Sequence, residues 1–258
     1  MSVSVTTDNP LVAAIALLGI GSFLFWWGFK MLKRKKLMEG TPTSKIRSLA
    51  MGPVEVYGEV VPVSNVLLKS PLTNNDCVYY RFTIQEMQQR GKHREWVTIK
   101  SGTKSVEFFL DDGTGSVLVD SNGAEVDISP NLIVDYGGLL GKGMPDSIKQ
   151  FLTSNKIDSG GFLGINKQMK FTEWFIAPKE KIYIMGNADD NPYVEEGSAI
   201  KGVTDIMIQK GGSEFYIADK SEQQIVGGMK WKIAGGLGGG GLMILGGLAI
   251  IFLYLGVF

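Results

Sequence analysis

Few residues in this chain could carry covalent or acid–base chemistry. Its 258 residues hold one cysteine, Cys77, and one histidine, His93. A nucleophile needs a base to activate it, and a base needs a second group to orient it. His93 falls in the charged run Gln89-Arg90-Gly91-Lys92-His93-Arg94, where a solvated imidazole is the ordinary reading. Cys77 opens an aromatic stretch, where a small buried thiol is the ordinary reading. One residue of each kind builds neither an intramolecular disulfide nor a four-ligand Cys/His zinc site. Asp111-Asp112-Gly113 lacks the spaced ligands and closing Glu of an EF-hand, and Gly141-Lys142 lacks the flanking residues of a phosphate loop. Gly236 to Gly241 fits G-x-G-x-x-G in form only, because it lies within an apolar segment. Glu173, beside Trp174, is the carboxylate to substitute first were an activity found. The expectation is therefore no catalytic residue, no cofactor site and no metal site.

The elements that would position these residues begin with two apolar runs. Leu11 to Phe29 carries no charge, and neither does Ile233 to Phe258. Each is long enough to cross ~30 Å of hydrocarbon as a helix. The first is not expected to be a cleaved signal, since the residues before it carry only Asp8 and the run ends in Phe25-Trp26-Trp27-Gly28-Phe29. Lys and Arg together number 26, as do Asp and Glu, so no net field recruits nucleic acid. Positive charge is local: Lys30, Lys33, Arg34, Lys35 and Lys36 follow the first run, and Lys230 and Lys232 precede the second. The positive-inside bias places the intervening domain in the cytoplasm and both termini outside the cell membrane. Neither run carries an ionisable residue to mark a conduction pathway.

Between the runs the pattern turns to period two. Glu39 to Met51 reads as a linker and short helix capped by Thr43 or Ser44. Val54 to Val60 alternates, as do Val78, Tyr80, Phe82 and Ile84 against Tyr79, Arg81, Thr83 and Gln85, with the first row expected on a core. Further strands are expected over residues 96–99, 105–110, 116–120 and 124–128, broken at Ser101-Gly102-Thr103, Asp111 to Gly115 and Ser121-Asn122-Gly123. A helix is expected over Pro145 to Asn155, with Ile148, Phe151 and Leu152 on one face, set between glycine-rich loops. A second block of strands follows at 169–176, 181–185, part of 199–208, and 215–218. Asp219 or Ser221 then caps a helix leading into the second run.

The fold class expected is mainly β within α+β: an OB-like small barrel or sandwich flanked by two transmembrane helices. The domain organisation is a tail over 1–10, a span over 11–32, a basic linker and short helix over 33–52, a β-rich domain over 53–229 and a second span over 230–258. An OB-like turn with Tyr79, Tyr80, Trp96, Phe108 and Phe109 nearby raises nucleic-acid binding as a rival. Asp111 and Asp112 repel phosphate, and aromatics at strand spacing are more often core, so nucleic acid is not the expected partner. Gly235 with Gly239, and Gly236 with Gly240, are each four apart and let a second helix approach. That helix is either the first run or a partner's span.

Thr41-Pro42-Thr43-Ser44, Val54 to Val60, Leu72 to Phe82, Glu173-Trp174-Phe175-Ile176-Ala177-Pro178 leading into Lys181 to Gly186, and Phe215 to Glu222 resemble the GIDE domain. This is the membrane-adjacent region of the mitochondrial ubiquitin and SUMO ligases called MULAN or MAPL, and of prokaryotic relatives. The resemblance covers about Thr41 to Ile225 and the flanking spans. The family's ligases carry a RING after the second span, whereas this chain stops within that span and lacks zinc ligands, so a RING-less, prokaryotic type is expected. Ligase activity is not carried over. The partners expected are membrane lipid and either a homo-oligomer or another membrane protein, for which the resemblance suggests a LemA-type protein. The function expected is a non-enzymatic binding or assembly module at the bilayer surface, with a membrane-tethered enzyme or an OB-like ligand binder as rivals.

Overall fold

The computed structural model describes residues 10–40, 44–64, 66–137, 144–157, 167–193, 205–212 and 214–256. The chain forms two compact units, one of Thr43–Lys220 and one of Met1–Pro42 with Ser221–Phe258. The first is a mainly β domain built on a closed barrel. β1 (Gly52–Pro62) pairs antiparallel with β6 (Phe108–Asp111), and β6 with β7 (Ser116–Val119). β7 runs parallel to β12 (Ile206–Gln209), which pairs antiparallel with β11 (Lys181–Asp190), and β11 returns to β1 over eight residue pairs from Gly52↔Ala188 to Glu59↔Lys181. This is the strand order of an OB-like barrel, with its single parallel pair between the third and fifth strands.

Alternation explains why these residues close on themselves. Val54, Val56, Val60, Phe108, Leu110, Val117, Val119, Ile182, Ile184 and Ile208 form one buried cluster, and most are β-branched or aromatic. Ile46 joins that cluster, fully buried, from a single 3₁₀ turn, Ile46–Ser48. Removing such a side chain from water is worth roughly 1.5–3 kcal/mol. The helix expected over Glu39 to Met51 is therefore corrected to this one turn. The backbone N–H of Ile46 goes to the Asp112 carboxylate at 3.0 Å and that of Arg47 to Thr114 Oγ1 at 3.3 Å, so tertiary partners take the donors at the head of the segment.

Insertions between barrel strands build a second layer. β2 (Leu68–Lys69) pairs with β3 (Asp76–Cys77), and β4 (Tyr79–Arg90) with β5 (His93–Ser105). β8 (Glu125–Asp127), β9 (Leu132–Tyr136), α1 (Asp146–Ser154) and β10 (Met169–Ile176) follow β7, and β13 (Tyr216–Ala218) lies between β11 and β8. β5, β4, β10 and β9 form a four-stranded sheet in that order. Ile148 and Leu152 of α1 are buried with Phe82, Ile84, Met169 and Phe171 on one of its faces. α1 and β10 fall where the periodicity places them.

Two expectations in this domain need correction, and one strand is unforeseen. β5 runs unbroken through Ser101-Gly102-Thr103, because Gly102 lies opposite Phe82, whose ring would sit 2.6 Å from a Cβ there. The glycine marks a close approach, not a turn. Tyr79, expected toward solvent, is 6% exposed and belongs to the barrel cluster, because β4 begins where the two layers meet. β9, over which the sequence suggests no element, is a strand pairing β10 from Met169↔Tyr136 to Glu173↔Leu132. The expected strand residues 199–204 and the glycines at 138, 141, 143, 160, 161 and 164 lie outside the described residues, as does Lys142.

The second unit holds two helices long and apolar enough to cross a membrane. α2, Pro10–Gly40, continues past the expected end of the first span, so the basic residues from Lys30 to Lys36 lie on the helix rather than in a linker. Its 31 residues extend ~46 Å at 1.5 Å each, which carries its last turns beyond ~30 Å of hydrocarbon. The second long helix is α3 (Glu222–Ala234), a π-helical turn at Gly235–Gly239, and α4 (Gly240–Tyr254) in one run. Ser221 starts it with a capping box, its N–H donating to Gln224 Oε1 at 3.2 Å. Ile15, Phe23, Trp26, Leu242 and Leu253 point outward with 62–73% of their surface exposed. Such a face suits lipid and would be costly in water.

Candidate functional site

Glu173 is fully buried on the face of β10 that carries Phe171. Its carboxylate is enclosed by one loop. The N–H of Leu72 donates to Oε1 at 2.7 Å, and the N–H and hydroxyl of Thr73 donate to Oε2 at 3.1 and 2.6 Å. Because the Thr73 hydroxyl donates to Glu173, its contact with Ser70 at 2.7 Å has Ser70 Oγ as donor. Asn75 closes the chain by donating its N–H to Ser70 Oγ at 3.1 Å. A buried charge is tolerated where donors surround it, and these donors come from residues 70–75. Glu173 fixes a loop; it does not face a space where a substrate would sit.

Cys77 follows that loop and is fully buried. Burial first, then the nearby Glu173 carboxylate, pushes its thiol up to about 12. Its Sγ lies 3.6 Å from the Leu68 carbonyl oxygen. A thiol so held is not a nucleophile at neutral pH. His93 is exposed on β5 beside the Gly91-Lys92 turn, where it pairs across the hairpin with Arg90. Cys77 and His93 lie at opposite ends of the β4–β5 hairpin, so the structure does not bring them together.

The Asp111 to Gly115 turn joins β6 to β7, as its composition requires, with Gly113 at φ +81°. Its carboxylates are occupied locally: Asp111 accepts from the Gly113 N–H and the Ser116 hydroxyl, and Asp112 from Thr114 and the Ile46 N–H. Burial opposes the Asp112 charge, but hydrogen bonds from Thr114, Ile46 and Gly115 outweigh it and hold its carboxyl below the usual range. An open groove of about 460 Å³ beside this turn is lined by Tyr57, Glu59, Val61 and Lys181 as well. It gathers no nucleophile–base pair. Of the aromatics weighed as base-stacking surfaces, Phe108 and Tyr79 are core, Trp96 is exposed, and Tyr80 and Phe109 are half-buried.

Among the four glycines expected to pack helices, the structure divides the two pairs. A Cβ on Gly236 would lie 2.7 Å from the Gly28 Cα, and one on Gly240 would lie 2.8 Å from the Gly21 carbonyl oxygen. Gly247 approaches the Ala14 carbonyl oxygen within 3.0 Å by the same measure. A Cβ on Gly235 or Gly239 would meet nothing beyond its own helix within 4 Å among the described residues. The two long helices thus form a hairpin whose seam is Ala14, Gly21 and Gly28 on one side and Gly236, Gly240 and Gly247 on the other. Ala14, Gly21 and Gly28 were missed by the sequence reading, although their seven-residue spacing places them on one helix face. Lys30, Lys33 and Lys36 are exposed on α2, Lys35 pairs with Glu39 at 3.0 Å, Arg34 is buried, and Lys230 and Lys232 are exposed on α3.

A family model for GIDE, described as E3 Ubiquitin ligase, matches residues 79–251, more than half of the chain and inclusive of most of the second long helix. No curated protein and no solved structure matches.

Proposed function

The chain belongs to the GIDE family, and from that premise we propose that it is a membrane-anchored, non-enzymatic binding and assembly module whose spans take part in association. The observation that carries the reading is the division of the glycines: Gly236 and Gly240 close the hairpin of the two long helices, while a Cβ on Gly235 or Gly239 would meet nothing beyond its own helix within 4 Å among the described residues. A glycine face in lipid with nothing against it is suited to a further helix. That helix belongs to a second copy or to another membrane protein. Two anchors restrict the domain to the bilayer face and raise its effective concentration for partners in that membrane, so weak lateral contacts suffice.

The ligase activity in the family's description is not part of the reading, because these 258 residues offer one thiolate and one imidazole to zinc. Nor is another catalytic role, since Glu173, Asp111 and Asp112 are engaged in holding the chain. The domain is assigned to the cytoplasmic side of the cell membrane, with both termini outside, from the basic residues that flank the spans. Native mass spectrometry of the full chain purified in mild detergent tests the reading. It expects a multimer or a co-purifying membrane protein, and a bare monomer counts against it.

A further inference from the structure

The longest strand of the domain ends one side of its sheet. β5 pairs only with β4, and among the described residues no backbone group from 93 to 104 bonds anything else. In an antiparallel pair about half of an edge strand's N–H and C=O groups point away from its neighbour. Here they form a free template some twelve residues long. Its charges outside ion pairs are of one sign: Glu95 is held by Arg90 at 2.8 Å, while Arg94, Lys100 and Lys104 are exposed and paired with no carboxylate among the described residues.

A bulge between Ile84 and Gln85 distributes these cations over both faces. Arg94 lies opposite Gln89, on the face of Trp96 and Met87, whereas Lys100 lies opposite Ile84 and Lys104 opposite Tyr80. Lys100 and Lys104 therefore share a face, four residues and ~13 Å apart. We propose that the free edge of β5 accepts an extended acidic segment of a partner protein as an added strand. Main-chain hydrogen bonds supply affinity, and carboxylates four residues apart, opposite Lys100 and Lys104, supply selection. A second copy is not the occupant, because two such edges would set Arg94, Lys100 and Lys104 against like charges.

The inference rests on the assembly reading only in that both require a partner; it uses a surface remote in sequence from the glycines. The test places the full chain in phosphatidylcholine nanodiscs and titrates a fluorescent twelve-residue peptide of alternating Glu and Val. Binding is expected, weakened at least tenfold by N-methylation of every second peptide nitrogen and by K100E/K104E. The K100E/K104E protein is expected in turn to bind the matching Lys and Val peptide, which rules out a folding defect. Absence of binding overturns the proposal, as does an N-methylated peptide that binds equally well, an unaffected K100E/K104E protein, or displacement of the peptide by phosphatidylglycerol vesicles or single-stranded DNA. None of these outcomes alters the native mass of the particle, so the two readings fail separately.

Discussion

The Thr73 hydroxyl donates to Glu173 Oε2 at 2.6 Å across a hundred residues of sequence, and with the Leu72 and Thr73 N–H groups it encloses a fully buried carboxylate. Hydrogen bonds to a charged group are worth about 1.5–3 kcal/mol each, and a buried donor left unmatched costs about as much. Glu173→Gln, with its amide oxygen kept for the two Thr73 donors, still sets an NH₂ against the Leu72 N–H and removes the charge, and should destabilise the domain by roughly 2–3 kcal/mol. Glu173→Ala should cost more. Thermal unfolding of the full chain in detergent checks this, and an unchanged midpoint for Glu173→Gln would show that the loop is not held by the charge.

Asp112 ties the Ile46 plug to the barrel, and its carboxyl lies below the ordinary value of 3.8 in the folded protein. A depressed folded-state pKa contributes stability that is present above the unfolded value and is lost as pH falls through the folded one. Asp112→Asn should therefore lower stability by about 1 kcal/mol at neutral pH. The gap between the two proteins should begin to shrink as the pH falls below 3.8 and close only below the lower folded-state value. A gap that stays constant from pH 7 to 2 would assign the loss to packing instead.

For Cys77 the prediction is inertness. With its thiol raised to about 12 by burial and then by Glu173, it should resist iodoacetamide at pH 7.5 in the folded chain and react once denaturant opens the domain. Intact-mass measurement reads both states, and labelling before unfolding would contradict the burial.

The proposed sidedness rests on the flanking charges. A protease site engineered into the Gln89 to Arg94 hairpin, exposed at the tip of β4 and β5, should survive external protease on right-side-out cells and be cut after lysis. Cleavage in intact cells would reverse the assignment.

The barrel was legible where local chemistry and packing agree: Val54 to Val60 alternates, Asp111 to Gly115 can only turn, and Met169 to Ile176 carries both signals. It was illegible where a partner distant in sequence decides. Gly102 reads as a break until Phe82 is seen above it, and residues 132–136 signal no element until β10 pairs them. Glu173 stood out beside Trp174, but nothing nearby in sequence announces residues 70–75 as its donors. The glycines show the same limit in the spans. Pairs at 235 and 239 and at 236 and 240 have identical spacing, and only the fit against Gly21 and Gly28 selects the second.

That selection gives the most direct test of the assembly reading, which is the native mass of the full chain in mild detergent for wild type and two double variants. Gly236→Leu with Gly240→Leu drives side chains into the α2 backbone and should destabilise the hairpin, since overpacking costs roughly 1–3 kcal/mol per site. Gly235→Leu with Gly239→Leu meets open space within the chain, so folding should be retained while the outer face is obstructed. The account predicts a wild-type multimer or a complex with another membrane protein, reduced to a monomer by the substitutions at Gly235 and Gly239. A wild-type monomer with no companion, or an assembly whose mass those substitutions leave unchanged, would contradict it.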